Sequence, residues 1–221
     1  SGPRGDSSRA HNDQKISMTT SWFPYSLAAT ILFGLGMALY KLPSVKNYNR
    51  FTTAFWSLTV PAILSIISFH RYLILSTPSM IWTALLWGTT FSGIVLLQMY
   101  ALKHIDTNVL FPITTTSSLI ITVLVGIFFF NEPVSLLQTI GIFLAILTIF
   151  SFLYKGGKVH YSRLLIGVGS GIIFISAFNK VLQKIVADQF DIHAFQIYQY
   201  FFAALCALLI YLVVHRHDWR G

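Results

Sequence analysis

Seven apolar stretches, each long enough to cross a bilayer as a helix, leave little of this 221-residue chain outside a membrane. A helix needs ~20 mostly apolar residues to span about 30 Å of hydrocarbon. Only 10% of the residues are charged, whereas a soluble domain usually has about a quarter. We therefore predict an all-α polytopic membrane protein. Its roughly seven transmembrane helices are expected at 23–41, 52–70, 80–102, 107–130, 134–154, 162–183 and 194–214.

The continuity of the apolar runs favours helices over a β-barrel. In hydrocarbon every backbone polar group must be bonded within the protein, so only helices and closed barrels span a membrane. Barrel strands alternate apolar and polar residues over about ten positions. Residues 119–130 and 140–154 are instead apolar almost throughout. The spans are therefore expected to be helical.

The sequence outside the spans is short and polar. Residues 1–17 have too few apolar side chains to fold, and we interpret them as a disordered tail. Met18 is an alternative start, which would make this tail non-native. The connections between spans are too brief for an extramembrane domain.

The net charge and the cysteine and histidine content indicate which partners, disulfides and metal sites to expect. The formal net charge is +8, which in a membrane protein is typical of short basic loops beside anionic lipid head groups. We therefore expect lipid contacts and no nucleic acid. Cys206 is the single cysteine, so no disulfide forms within the chain. The seven histidines lack zinc-ligand spacing, and neither a metal nor a cofactor is predicted.

A faint internal repeat relates the start of the chain to its last third. Residues 29–41 resemble 167–180, with Ala38-Leu39-Tyr40-Lys41 aligned to Ala177-Phe178-Asn179-Lys180. Five spans separate the two starts, so the second copy is inverted across the membrane. Inverted repeats are typical of secondary transporters, which bind their substrates near the bilayer midplane at the repeat interface.

Ordered motifs support this interpretation. Tyr100-Ala101-Leu102-Lys103 ends the third span, Pro112 lies in the fourth, and Asn131-Glu132-Pro133 follows that span. Gln138 and Gly141 open the fifth span, and Arg50-Phe51 precede the second. In this order they resemble an EamA repeat of the drug/metabolite transporter superfamily.

The resemblance implies a domain organisation. Residues 23–154 correspond to one complete five-helix repeat, and residues 162–214 to the first two helices of a second. Family members usually have ten helices in a 5+5 inverted repeat, so we interpret the chain as a fragment of such a fold. The implied function is secondary transport of small organic metabolites or drugs. The implied location is a cell membrane, in particular the bacterial inner membrane.

Polar, aromatic and small residues near mid-span are the candidates for a solute cavity. It is expected to face the first, third, fourth and sixth spans, and to be lined by Gly34, Trp87, Phe91, Tyr100, Thr114, Ser117, Ser170 and Asn179. Pro112 removes a helix hydrogen bond, so it is a candidate for a helix break beside the cavity, with a static kink as the alternative. Lys41, Arg50 and Lys180 lie near predicted span ends. They either attract an anionic or zwitterionic substrate or extend to the head groups.

Two other functions remain open from the residues. A seven-helix receptor or sensor fits the helix count, but the last span has no lysine for a retinal Schiff base. An intramembrane enzyme would need an activated nucleophile or a metal cluster, and the histidines lie mainly at span ends. Small residues four apart, such as Gly141 and Ala145, allow close helix packing and leave a homodimer open.

Orientation is also left open. The family is usually drawn with a cytosolic N-terminus, which would place Lys46, Lys103, Lys155, Lys158 and Arg163 outside. The positive-inside rule favours the opposite orientation.

Overall fold

The computed structural model describes residues 24, 27–36, 39–46, 48–155, 158–159 and 163–218. The predicted tail, residues 1–17, lies outside these residues. The described residues up to 40 and those from 41 onward belong to two different compact units. The first contains helix α1, at 27–36. The second contains α2 Lys41–Val45, α3 Arg50–Phe69, α4 Pro78–Leu102, α5 Thr107–Phe130, α6 Leu136–Leu153, α7 Arg163–Gln189 and α8 Ile192–Asp218.

Five described helical segments are long and apolar enough to cross a membrane. They are α3 with the following 3-10 helix His70–Leu75, α4, α5, and the parts of α7 and α8 at Ile166–Gln189 and Ile192–Val214. Helix α6 is equally apolar but shorter. Tyr154–Lys155 and Lys158–Val159 form a two-residue antiparallel ladder between α6 and α7. The prediction of an all-α polytopic membrane protein is confirmed, while the division into repeats at 23–154 and 162–214 stays a prediction.

Side-chain caps explain where several helices begin. The Asn49 side chain accepts a hydrogen bond from the Phe51 amide at 2.9 Å at the start of α3. Thr77 caps α4 in the same way. Ser135 and Gln138 form a reciprocal capping box at the start of α6. Such caps satisfy amides that have no partner within the helix.

Two predicted connections are wrong in detail. Helix α7 continues to Gln189, six residues beyond its predicted end, and only Phe190 and Asp191 separate it from α8. Residues 184–189 are less apolar than the preceding part of α7, but they contain no glycine or proline. The helix therefore continues although the hydropathy decreases. The connection between the predicted spans 23–41 and 52–70 likewise contains most of the short helix α2, Lys41–Val45.

The second unit is organised around α4 and its neighbours. Helix α8 packs against α3 and α4, α7 packs against α4 and α5, and α6 packs against α5. A buried cluster joins α4, α7 and α8 through Met80, Ala84, Trp87, Val186, Ala194 and Phe195. Outward-facing apolar residues such as Leu137 and Phe143 of α6 are exposed, as expected for a surface that contacts lipid.

Gly88 allows α4 and α8 to approach closely. A Cβ atom at this position would lie 2.7 Å from the Gln199 carbonyl oxygen and 2.8 Å from the Ala203 nitrogen. Both are backbone atoms, so they cannot rotate away as a side chain can. Small residues are what bring two membrane helices into such contact.

Candidate functional site

A polar layer crosses the second unit at mid-span. Thr90 is the thirteenth of 25 residues in α4, and Ser118 is the twelfth of 24 in α5. Asn179 and Lys180 are the fourteenth and fifteenth residues of the 24-residue apolar part of α7. Each of these side chains therefore lies near the middle of its own helix.

Thr90 and Asn179 join α4 to α7. The Thr90 hydroxyl donates to Asn179 Oδ1 at 2.6 Å. The same hydroxyl also lies 2.8 Å from the Leu86 carbonyl and 3.0 Å from the Trp87 carbonyl of its own helix. Asn179 is only 4% exposed, and its Nδ2 has no hydrogen-bond partner in the described part of the chain. The Asn179 side chain therefore has a buried N–H donor without an acceptor among the described residues.

Lys180 joins α7 to α5 through a hydrogen bond from its Nζ to the Ser118 hydroxyl, at 2.5 Å. The expectation that Lys180 lies near a helix end is wrong, because α7 continues to Gln189. Nine residues correspond to ~13 Å of helix at about 1.5 Å per residue, farther than a lysine side chain extends. Lys180 therefore does not lie at the end of α7.

Two aromatic residues of α4 flank Thr90 in sequence, Trp87 about one turn before it and Phe91 directly after it. The rings of Trp87 and Phe91 stack with centroids 4.5 Å apart, and Tyr200 of α8 meets both edge-on at 6.1 and 6.4 Å. Trp87 is buried, and its Nε1 has no hydrogen-bond partner among the described residues. These rings form an apolar wall with one indole N–H donor.

Further polar atoms on these helices lack partners. Within the described residues, the buried side-chain atoms without a hydrogen bond on α4, α7 and α8 are Trp87 Nε1, Ser92 Oγ, Asn179 Nδ2, His193 Nδ1 and Gln199 Oε1. His193 lies at the start of α8, and the other four lie farther from the helix ends. Buried polar atoms are normally bonded. Each of these atoms therefore retains the capacity to bond water or a solute.

The structure brings together some of the predicted cavity residues. Trp87 and Phe91 are stacked, and Asn179 is connected to the same stretch of α4 through Thr90. Thr114 is buried on α5 one turn before Ser118, but its hydroxyl donates to the Leu110 carbonyl of its own helix at 2.8 Å. Ser117, which directly precedes Ser118, is half-buried.

Of the other predicted residues, Tyr100 and Ser170 lie on α4 and α7 away from this group. Tyr100 is 37% exposed near the end of α4. The Ser170 hydroxyl bonds the Gly167 carbonyl of its own helix. Gly34 belongs to α1 in the first unit, so its role in the cavity stays a prediction.

The predicted helix break at Pro112 is wrong. Helix α5 runs without interruption from Thr107 to Phe130, with Pro112 as its sixth residue. A proline this close to the helix start removes only one early hydrogen bond, which the rest of the helix tolerates. Backbone carbonyls opened by a break are therefore not part of the site.

Lys41 and Arg50 lie at the end of the unit where α3 begins and α4 finishes. Lys41 Nζ donates to the Leu102 carbonyl at 3.2 Å, which satisfies a carbonyl at the end of α4. The Arg50 guanidinium lies 5.4 Å from the centroid of the Tyr100 ring, a cation–π contact. Both cations have structural partners, and neither belongs to the mid-span layer.

A cavity between α5 and α6 was not expected from the sequence. Its volume is about 550 Å3, and apolar residues such as Leu119, Val123 and Ile142 form most of its lining. Glu132 and Gln138 supply polar atoms. In the part of the chain that the structure describes, no cluster of His, Cys, Asp and Glu could hold a metal ion.

Glu132 is held against α7 by Lys184, which forms an ion pair with its carboxylate. The turn is closed by Asn131 in the left-handed conformation, with φ 51°, and by a bond from the Glu132 amide to the Gly126 carbonyl. A Cβ atom at Gly126 would lie 2.6 Å from Glu132 Oε2. Lys184 follows the predicted sixth span, 162–183, so its ion pair with Glu132 was not predicted from the sequence.

Exchanging the two charges tests this ion pair. Glu132→Lys or Lys184→Glu alone should lower the melting temperature in detergent, because each places like charges together. The double exchange should recover most of the loss, with a coupling of about 0.2–1 kcal/mol as is typical of partly exposed pairs. A double variant no more stable than the sum of the single changes would show that the pair contributes nothing.

The fold is that of a polytopic membrane protein. Several polar side-chain atoms buried in its interior have no hydrogen-bond partner among the described residues. Residues 20–154 match the EamA-like transporter family. This match covers more than half of the chain, and the chain belongs to the EamA-like transporter family. The resemblance seen in the sequence, including its placement in the drug/metabolite transporter superfamily, is thereby confirmed. No curated protein matches the chain.

Proposed function

We propose that this chain acts in secondary transport, moving a small organic solute across a membrane on a gradient. Family membership supports a transporter. The sequence contains no Walker-type phosphate loop, which favours a gradient over ATP as the energy source. The resemblance also supports a location in the bacterial inner membrane.

The observation that carries this proposal is the set of buried, unpartnered polar atoms around Thr90 and Asn179. In hydrocarbon an unsatisfied polar group costs several kcal/mol. A protein that only needed a stable bundle would place apolar side chains there. A solute or water that bonds these atoms offsets the cost, and the adjacent rings of Trp87 and Phe91 suit the organic part of a solute.

Uptake into vesicles tests the function. The purified chain is reconstituted into liposomes and incubated with a mixture of amino acids, organic acids, sugars and nucleosides, and the contents are analysed by mass spectrometry. We expect at least one solute to accumulate without ATP, and accumulation to stop when ionophores collapse the ion gradients. Strict dependence on ATP, or no accumulation beyond that of protein-free liposomes, would contradict the proposal.

A further inference from the structure

We propose that the solute has an anionic group, a carboxylate or a phosphate, which binds to Lys180 and Asn179 of α7. This inference rests on the proposed function, because it takes the transported solute as the ligand. It adds the chemical class of the solute and the residues that would select it.

The first argument is the missing counter-charge of Lys180. The described acidic side chains are Asp106, Glu132, Asp188 and Asp191, and each lies at or beside a helix end. Glu132 is already paired with Lys184. Lys180 therefore has no carboxylate partner in the described part of the chain. A cation at mid-membrane depth is costly, and such residues mark ion or substrate paths.

The second argument is the hydrogen-bonding capacity that remains. An ammonium group has three N–H donors, and the Ser118 hydroxyl accepts one of them. Asn179 Nδ2 adds an amide donor that is buried and has no partner within the described residues. A group of donors with one positive charge is complementary to an anion, since carboxylates and phosphates offer only acceptors.

The third argument is the arrangement of the helices. Helix α7 packs against both α4 and α5, whereas α4 and α5 hardly contact each other. Asn179 reaches to α4 and Lys180 reaches to α5. The two donors therefore lie on the part of α7 that faces α4 and α5, one bonded to each of these helices. On the α4 side, Trp87 lies about one turn before Thr90 and Phe91 directly follows it, which favours an organic anion with an apolar part.

Matched pairs of probes test the charge requirement. Benzoate is compared with benzamide, N-acetylphenylalanine with its amide, and phenyl phosphate with phenol, by binding to the chain purified in detergent. We expect at least one anion to bind about tenfold or more tightly than its neutral counterpart. The first two pairs report on carboxylates and the third on phosphates. If no anion binds more tightly than its counterpart, the inference is wrong.

Variants of Lys180 assign the effect to the site. Lys180→Met should remove the preference for anions, and Lys180→Arg should retain it because the charge remains. Lys103→Met is the matched control, because Lys103 is exposed after the end of α4. A preference that survives in Lys180→Met, or that is lost in a folded Lys180→Arg, would overturn the assignment.

Thermal stability separates a binding role from a structural one. Replacing an unpaired buried charge with an apolar side chain of similar length is often neutral or stabilising. Lys180→Met should therefore melt at the same or a higher temperature than the unmodified chain when no anion is present. A lower melting temperature, with the anion preference unchanged, would show that Lys180 serves only the Ser118 contact.

The inference and the proposed function can fail separately. If Lys180-dependent anion binding is observed but the liposomes accumulate no solute, the site stands and the transport function is wrong. If a solute accumulates at an unchanged rate in Lys180→Met, the transport function stands and the anion site is wrong.

Discussion

Gly88→Ala should destabilise the protein even though alanine is the better helix former. The added Cβ would meet the Gln199 oxygen at 2.7 Å and the Ala203 nitrogen at 2.8 Å, and α8 would have to move away. Overpacking of this kind costs about 1–3 kcal/mol, whereas replacing glycine with alanine in a helix contributes only ~1 kcal/mol. We therefore expect a lower melting temperature in detergent and less folded protein in the membrane.

Gly93→Ala is the matched control on the same helix. A Cβ atom at Gly93 would have no described heavy atom within 4 Å outside the local helix and its chain neighbours, so only the gain in helix propensity applies. This variant should be as stable as the unmodified chain or more stable. Equal stability of the two alanine variants would show that the close contact between α4 and α8 is not needed.

Thr90→Val should reduce transport about tenfold while changing stability little. An interhelical hydrogen bond in a membrane protein contributes only ~0.6 kcal/mol on average, which is too little to change the folded population. The same change removes the bond that orients the Asn179 amide. A misplaced buried donor costs ~1–3 kcal/mol of interaction with a ligand, which corresponds to roughly tenfold or more in affinity.

Thr89→Val provides the comparison, because Thr89 is the adjacent residue and its hydroxyl bonds only carbonyls of its own helix. Initial rates of uptake and the amount of folded protein are measured for both variants. Thr89→Val should transport at the rate of the unmodified chain. Parallel loss of folded protein and transport in Thr90→Val would mark this hydrogen bond as structural.

The helices were largely predictable because hydropathy and capping residues act locally. The predicted fourth span, 107–130, coincides with α5, and the third begins within two residues of α4. The end of α7 was not predictable from hydropathy, because Lys184 and Asp188 reduce the apolar character of a segment that remains helical. The polarity of these residues instead reflects their position beyond the mid-span layer and, for Lys184, the pairing with Glu132.

The candidate site was predicted only in part, because its bonds join residues far apart in the chain. Asn179 and Trp87 were identifiable as polar or aromatic residues at mid-span. The partnership of Asn179 with Thr90 spans 89 residues and depends on how α4 packs on α7. Lys180 was predicted to lie near a helix end because hydropathy placed the end of α7 six residues too early. Ser118 belongs to a run of Thr and Ser residues, and only the packing of α5 on α7 distinguishes it from its neighbours.

The close backbone contact at Gly88 also restricts how the protein can change shape. Because α4 and α8 meet through main-chain atoms, sliding one along the other would force backbone against backbone. Helix α3 packs on α8 and would travel with this pair, forming a fixed frame. Helices α5 and α6 meet that frame mainly through α7. Any movement of α5 and α6 relative to this frame would therefore be a rotation about α7, close to the Lys180–Ser118 bond.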